Sequence, residues 1–332
     1  MSWQEIQNLQ VELKMNDEEL VHLIAIKNIE NVGDKTIEKL FERFKSFKTA
    51  WNSEEKEIKK IKTNWRILST LLENRNNIII NEVINQINEI SNQGITIGNK
   101  FNGQNYPERL YELKDSPSVV YIKGTMDERD KNAIAIVGTR KPTTRGKFLA
   151  RKFAFKLAQE KFTIVSGLAK GIDTEAHLGA LKAKGRTIAV LGTGFNRNVF
   201  YPKENYILSQ LISENGYCIT EFPPYSKGLL SNFYRRNRII SVLSNAVLII
   251  ELKNKNHSGT LTQAYYAKNQ GRKIFILKEI VEANKESIGW KTLKREVKPI
   301  IVEDPDEIID EINSSTIFQK NLIEHQLEIK GY

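Results

Sequence analysis

Apolar residues recur along this chain with two different periods. Over about the first 98 residues the spacing is helical. Asn16-Asp-Glu-Glu19 has the pattern of a capping box opening a helix that carries Leu20, Leu23, Ile24 and Ile26. Asn31-Val-Gly33 makes a turn, and Asp34 suits the N-cap of a second helix with Ile37, Leu40, Phe41 and Phe44 inward. A longer helical stretch runs from about Thr63 to Ile90. Helix, glycine-containing turn, helix is the shape of a helix-hairpin-helix, which can meet a DNA backbone through turn amides and nearby lysines. A plain helical packing module has the same pattern.

From Ile95 the pattern changes. Short apolar runs at 119–123, 133–137, 162–165, 187–191, 217–220, 246–250 and 273–277 predict strands. Helical segments at 144–160, 173–184, 203–215, 234–243 and 259–270 lie between most of them. Strands that are apolar throughout, alternating with helices, predict an α/β fold with a doubly wound, mostly parallel sheet covered on both faces. The expected organisation is a helical domain over 1–98, an α/β domain over 99–300 and an acidic tail over 301–332 with one short helix, Pro305 to Ile312.

Charge sharpens this outline. The 332 residues carry a net charge of +10. Residues 301–332 hold eight acids and two lysines, so that segment is −6 and the first 300 residues are +16. A body this basic suits a polyanionic partner, and also suits a surface tuned for solubility. No apolar run approaches the roughly 20 residues of a membrane span. The start, Met1-Ser-Trp-Gln-Glu-Ile, lacks the charged and apolar regions of a signal peptide. The single cysteine, Cys218, excludes an internal disulfide and a cysteine zinc cage and fits a reducing, cytoplasmic setting. It falls in a predicted strand and reads as a core thiol. The four histidines (His22, His177, His257, His325) show no metal-ligand spacing, so no metal and no cofactor are expected.

The candidate chemistry lies where strands end. Four strands run into small-residue loops: Ile136-Val-Gly-Thr-Arg-Lys-Pro142, Val165-Ser-Gly-Leu-Ala-Lys-Gly-Ile-Asp173, Leu191-Gly-Thr-Gly194 and His257-Ser-Gly-Thr260. Strand carboxyl ends share one sheet edge, and glycine allows close backbone approach there. Helices that follow direct amides and a positive dipole end at the same place. Arg140, Lys141 and Lys170 add full charges, which points to an anion site. A P-loop signature is absent, and Gly192-Thr-Gly194 lacks the third glycine of a dinucleotide fingerprint. A further basic run, Phe233-Tyr-Arg-Arg-Asn-Arg-Ile-Ile-Ser-Val-Leu-Ser244, adjoins an apolar strand ending at Glu251. Cations interleaved with aromatics suit phosphates and stacked bases. At 100° per residue Arg235 and Arg238 share a helix face and Arg236 points elsewhere. The spacing therefore predicts Arg235 and Arg238 as phosphate contacts and Arg236 as a structural pair with Glu221 or Glu251. Asn237 is expected to bond backbone, Phe233 to be core or a stacking platform, and Asp173 to cap the next helix.

These loops, in this order, resemble the DNA processing protein A family (DprA, also called Smf) over roughly residues 105–278. The resemblance is carried by Tyr106-Pro-Glu-Arg-Leu110, Ser116-Pro-Ser-Val-Val-Tyr-Ile-Lys-Gly124 and Val137-Gly-Thr-Arg140, then by Ser166-Gly-Leu-Ala-Lys-Gly-Ile-Asp173 with Ala176-His177. Gly192-Thr-Gly194 with Tyr201-Pro202 and Asn205, Thr220-Glu-Phe-Pro223, Phe233 through Ser241, and Ser258-Gly-Thr-Leu261 with Gly271-Arg272 complete it. The helical front matches that family's sterile-alpha-motif-like or helix-hairpin-helix region in outline. The family resemblance implies a Rossmann-like domain and a non-enzymatic protein that binds single-stranded DNA. It also implies protection of that strand, loading of a RecA-type recombinase in recombination or natural transformation, and a homodimer. The DNA or phosphate contacts it implies, together with the loop chemistry, are Gly138, Thr139, Arg140, Lys141, Ser166, Gly167, Lys170, Gly171, Gly192, Gly194, Lys227, Phe233, Arg235, Arg236, Asn237, Arg238, Ser258, Gly259 and Thr260. Two features depart from the pattern. Lys278-Glu-Ile stands where members commonly have Pro-Gly, and the acidic tail leaves no room for a winged helix.

Two alternatives stand beside this reading. The fold family also resembles cytokinin-activating phosphoribohydrolases, whose Gly-Gly-x-Gly-Thr-x-x-Glu loop ends in a catalytic carboxylate. Gly259-Thr-Leu-Thr-Gln263 places an amide there, which disfavours hydrolysis. A glutamine can still bind, so a nucleotide sensor, for example in phage defence, is the other alternative. A catalytic set of Ser166, Asp173 and His177 is a remote one.

Overall fold

The computed structural model describes residues 18–252 and 258–314. The chain divides into two units, Met1–Val120 and Tyr121–Tyr332, so the division falls within a strand and not at the expected 98/99.

In the first unit residues 18–28 are helical (α1). They are followed by α2 (Asp34–Phe44), α3 (Phe47–Asn52), α4 (Glu55–Ile58), α5 (Trp65–Arg75), α6 (Ile80–Asn92) and β1 (Ile95–Asn99). The helical stretch expected from about Thr63 to Ile90 consists of two helices, α5 and α6. Leu23, Ile24, Ile26, Ile37 and Leu40 are buried as the helical period requires. Phe41, Phe47 and Phe101 form an aromatic cluster with centroids 4.7–5.2 Å apart. Asn16 lies outside the described residues. Gly33, not Asp34, occupies the N-cap of α2. The Asp34 carboxylate instead accepts from the Ser118 amide at 3.0 Å and from Lys27 at 3.1 Å. Burial raises its pKa, but Lys27 and the Ser118 amide outweigh it and bring the value to about 2.

The remaining elements are β2 (Val119–Gly124), β3 (Ala133–Val137), α7 (Thr144–Gln159), β4 (Thr163–Ser166), α8 (Ile172–Lys182), β5 (Thr187–Val190), α9 (Tyr206–Asn215) and β6 (Gly216–Thr220). Then come α10 (Leu230–Arg235), α11 (Asn237–Val242), β7 (Ala246–Ile249), α12 (Gly259–Asn269), β8 (Lys273–Leu277), α13 (Lys278–Ala283), α14 (Ile288–Glu296) and β9 (Ile300–Val302). Residues 305–314 are helical (α15). The strands run β2-β6-β5-β4-β3-β7-β8-β9. All neighbours from β6 to β9 are parallel, and β2 pairs antiparallel with β6, Tyr121 opposite Thr220.

Every residue of β3, β4, β5, β6 and β7 is buried, as a sheet covered on both faces demands. Leu149, Phe153 and Leu157 of α7 and Ala176 and Ala180 of α8 pack with Ile134, Ile136, Ile164 and Leu248 in one continuous core. Two expectations change here. The helix expected over 234–243 is two short ones, α10 and α11. The expected tail begins inside the domain: β9 extends the sheet beside β8, and Ile308 and Ile312 of α15 lie in the same core.

Candidate functional site

From β3 the chain winds outward through β4, β5 and β6 on one side, and through β7, β8 and β9 on the other. Where the order reverses, between β3 and β7, the loops leaving the carboxyl ends diverge and leave a crevice. A cleft of about 230 Å³ lies there, lined by Gly138, Thr139 and Arg140 after β3, by Asp173, by Phe233 and Arg236, and by Ser258–Thr260 at the start of α12. The loops are tied to one another. The Thr139 amide donates to the Glu251 carbonyl at 3.0 Å, and the Ile172 amide to the Thr139 carbonyl at 3.2 Å.

Arg236 forms the floor. It is 5% exposed, and its Nη1 donates to the carbonyls of Gly167 and Val190, joining the ends of β4 and β5. Its Nη2 lies 3.7 Å from the Asp173 carboxylate. Burial lowers the Arg236 pKa to about 10 while Asp173 opposes the shift, so the guanidinium keeps its charge at neutral pH. Burial also raises the Asp173 pKa, against the pull of Arg236 and of the Ala169 amide. Arg236 thus pairs with Asp173, not with Glu221 or Glu251. Asp173 stands in the first turn of α8, whose N-cap is Gly171; its carboxylate braces the preceding loop through the Ala169 amide at 3.3 Å.

Arg238 is a correction. It shares a side with Arg235, as the spacing predicts, but what they share is Glu221. Arg238 donates to both Glu221 oxygens at 2.7 and 2.8 Å and is 1% exposed, so it cannot reach a ligand in this arrangement. Arg235 lies outside, with its side chain 46% exposed and 3.1 Å from the same carboxylate. Asn237 is buried and donates to the Gly259 carbonyl at 3.1 Å, pinning α12 to α11.

Several loop positions expected to face a ligand are likewise committed to the protein. Ser166 is fully buried and donates to the Ile136 carbonyl at 2.7 Å. A Cβ at Gly167 would lie 2.1 Å from the Arg236 guanidinium, and one at Gly192 would lie 2.6 Å from the Phe233 ring. Gly194 donates its amide to the Ser226 carbonyl at 2.9 Å. These glycines make room for protein groups, not for a ligand. Gly171, at φ +86°, closes the turn into α8 against the Thr139 carbonyl. Gly259 differs: a Cβ there would meet nothing within 4 Å. It opens α12, where Ser258 caps through the Leu261 amide at 3.2 Å and the first-turn amides have no partner within the helix.

The exposed cations are therefore a subset of those expected. Arg140, Lys141, Lys170, Lys227 and Arg235 are exposed. The Arg140 guanidinium lies over the Phe233 ring, 5.6 Å from its centroid. Lys170 pairs with Glu204 at 2.5 Å, which raises its pKa. Tyr201 and Tyr234, absent from the expected site, are 47% and 39% exposed beside it. Tyr201 belongs to the Tyr201-Pro202 pair and Tyr234 to the arginine run that carry the family resemblance, so both lie inside recognised motifs.

No catalytic arrangement joins Ser166, Asp173 and His177. His177 is fully buried and bonds through Nδ1 with the Thr187 hydroxyl at 2.7 Å. Burial and then the Arg236 charge lower its pKa to about 3. Cys218 is a buried thiol pushed up to about 12 by burial. Among the described residues no group of His, Cys, Asp and Glu could hold a metal ion, and no helix is long and apolar enough to cross a membrane.

A doubly wound parallel sheet with its crevice at the strand reversal defines a Rossmann-like α/β protein. The chain belongs to the family described as DNA recombination-mediator protein A, which it matches over residues 99–313. It is 34% identical over 268 residues to Protein Smf of a Synechocystis species, covering 79% of this chain and 65% of that protein. It is 42% identical over 171 residues to DNA processing protein DprA of Bacillus subtilis, covering 51% and 56%. The chain spans about half to two thirds of the length of the curated relatives it matches. Its fold matches the X-ray structure of DprA from Streptococcus pneumoniae with a TM-score of 0.72 at 27% identity, over 87% of this chain and 96% of that one. A structure of DprA from Helicobacter pylori, described for its single-stranded DNA binding mode, matches with a TM-score of 0.56 at 26% identity, over 67% and 96%.

Proposed function

We propose that this protein binds single-stranded DNA at the carboxyl edge of its sheet, protects it, and helps load a RecA-type recombinase, acting as a cytoplasmic homodimer. The observation that carries this reading is Arg140, an exposed cation laid on the Phe233 ring at the mouth of a cleft that ends on the start of α12. Arg140, Lys141, Lys170 and Lys227 attract phosphates, and the exposed aromatics between them accept bases of any sequence. The Helicobacter pylori relative is described as binding single-stranded DNA, which supports the same ligand here.

The hydrolase reading is weaker. Gln263 lines the cleft, but its amide nitrogen donates inward to the Asn237 carbonyl at 3.1 Å and to the Ser241 hydroxyl. It supplies no carboxylate for an oxocarbenium-like charge.

Fluorescence anisotropy with single-stranded DNA, duplex and mononucleotides, side by side across a salt series, tests the proposal. The expected order is single strand above duplex, with mononucleotides far weaker and affinity falling steeply with salt. Binding of mononucleotides alone would replace this reading with the nucleotide sensor.

A further inference from the structure

A second hollow lies on the opposite, amino edge of the sheet, where α7 and α8 end and β4 and β5 begin. Its volume is about 330 Å³, against about 230 Å³ for the cleft. The charged residues that line it are Arg129, Lys161, Lys184 and Arg186, and all four are cations. The two helices that meet there end alike. After α7 the Phe162 amide reaches back to the Leu157 carbonyl at 3.0 Å, with Lys161 at φ +68°. After α8 the Gly185 amide reaches back to the Ala180 carbonyl at 3.0 Å, with Lys184 at φ +54°. Each turn has the Schellman pattern, with lysine in the left-handed position that glycine usually takes. A Cβ at Gly185 would fall 2.7 Å from the Ala158 Cβ, so the two turns lie against each other and both lysines flank one hollow.

The four cations differ in what holds them. Arg186 is fixed: its Nε and Nη2 donate to the two Asp130 oxygens at 2.9 and 2.8 Å, and the pair is largely buried. Arg129 is exposed and pairs with Asp127 at 2.7 Å. Lys161 and Lys184 are exposed, and no carboxylate pairs with either among the described residues. The carbonyl ends of α7 and α8 oppose an anion here with about half a charge each. Two uncompensated lysines outweigh them. The turn amides also occupy part of that carbonyl set, since the Lys161 amide donates to Ala158 and the Lys184 amide to Leu181.

We propose that this hollow is a second anion site, remote from the cleft, and that it takes the phosphates of a nucleic-acid strand. The inference rests on the reading of this protein as a DNA binder and adds a contact on the other edge of the sheet. A free phosphate is held by fixed donors that enclose it. Here the fixed guanidinium is committed to Asp130, and the two free cations are point charges on long stems at the rim. Lysines so placed suit a chain of phosphates, which binds by releasing counterions and needs no exact geometry. Phe162, the aromatic in the lining, is 3% exposed, so it offers no ring to a base. The contact is therefore blind to sequence and serves single strand and duplex alike. Helix α8 joins the two sites: Asp173 in its first turn lines the cleft, and Ala183 just past its end lines the hollow. Its 11 residues span about 16 Å. That is on the order of five phosphates of a stacked strand.

The test titrates the full chain and its Lys161→Gln/Lys184→Gln variant with a long oligothymidylate and with a duplex of equal length across a salt series. The variant should make the log–log salt slope shallower by about 1.4 on the single strand and about 1.8 on the duplex, the share of two phosphate contacts. Lys161→Arg/Lys184→Arg should keep the wild-type slopes. Arg140→Ala alters the cleft, so its loss should add to that of the lysine pair. Unchanged slopes in the glutamine variant, while wild type binds DNA, overturn this site and leave the cleft reading intact. Failure of wild type to bind either oligonucleotide overturns both. Acylation footprinting of the wild-type lysines avoids any folding defect. Bound DNA should shield Lys161 and Lys184 together with Lys141 and Lys170. Shielding confined to Lys141 and Lys170 overturns the proposal. Shielding of Lys161 and Lys184 by inorganic pyrophosphate, but not by DNA, overturns the strand and leaves a site for a small phosphorylated anion.

Discussion

Arg238 grips Glu221 with two parallel hydrogen bonds, 2.7 and 2.8 Å long, and the two side chains are 2% and 3% exposed. Removing the cation strands a buried carboxylate whose other cation among the described residues is the partly exposed Arg235. Arg238→Ala is therefore expected to cost about 3–5 kcal/mol of stability in urea denaturation. Single-stranded DNA affinity per folded molecule should change little. Normal stability with a large loss of affinity would show that Arg238 reaches DNA after all.

Arg140 predicts the opposite pattern. It is exposed, and its guanidinium lies over the Phe233 ring. Arg140→Ala should shift stability by no more than about 0.5 kcal/mol. It should weaken single-strand binding and make the log–log salt slope shallower by about 0.7, the share of one phosphate contact on a single strand. An unchanged slope would mean that no phosphate meets this side chain.

His177 sets a pH dependence. Burial, then the Arg236 charge, hold its folded pKa at about 3 against an ordinary 6.5. Below pH 6.5 the unfolded chain takes up a proton at this position that the folded chain refuses until about pH 3. Unfolding is then favoured by acid, and stability falls across that window as pH drops. His177→Gln should remove one proton from this dependence, flattening the decline by up to about 1.4 kcal/mol per pH unit. Parallel curves for wild type and variant between pH 6 and pH 4 would contradict the buried neutral imidazole.

Cys218 gives a simple readout of opening. Burial raises its thiol to about 12, so thiolate is scarce and shielded. Labelling by a disulfide reagent at pH 8 should be negligible in the native protein and complete in denaturant. Rapid native labelling would show that β6 is not held as described.

Much of the sheet is legible in the sequence because a doubly wound fold writes each buried strand as an apolar run. β3 and β8 occupy the predicted runs, residues 133–137 and 273–277. β9 escaped notice because three residues make no pattern, and Ile300 and Ile301 are 38% and 46% exposed. The site is harder to read. Glycine and arginine look alike in sequence whether they face a ligand or each other, and only packing shows that Gly167 exists to admit Arg236. Helical spacing set Arg235 and Arg238 on one side; it carried no information that Glu221, 17 residues before Arg238, would be waiting there. Tyr201 lies in neither an arginine run nor a glycine loop, and its edge-on contact with Phe233 spans 32 residues of sequence.

Among the described residues the sheet ends on β9, and a strand of three residues has a consequence of its own. An outermost strand presents unpaired amides and carbonyls on which another polypeptide can build. Here the ladder that it could offer is only Ile300–Val302, with Lys298 at φ +58° turning the backbone before it and Glu303 and Asp304 placing carboxylates after it. An incoming strand would find few bonds to make and like charge to oppose an acidic copy of itself. The shortness of this strand thus guards a highly apolar sheet against growing by fusion with its neighbours.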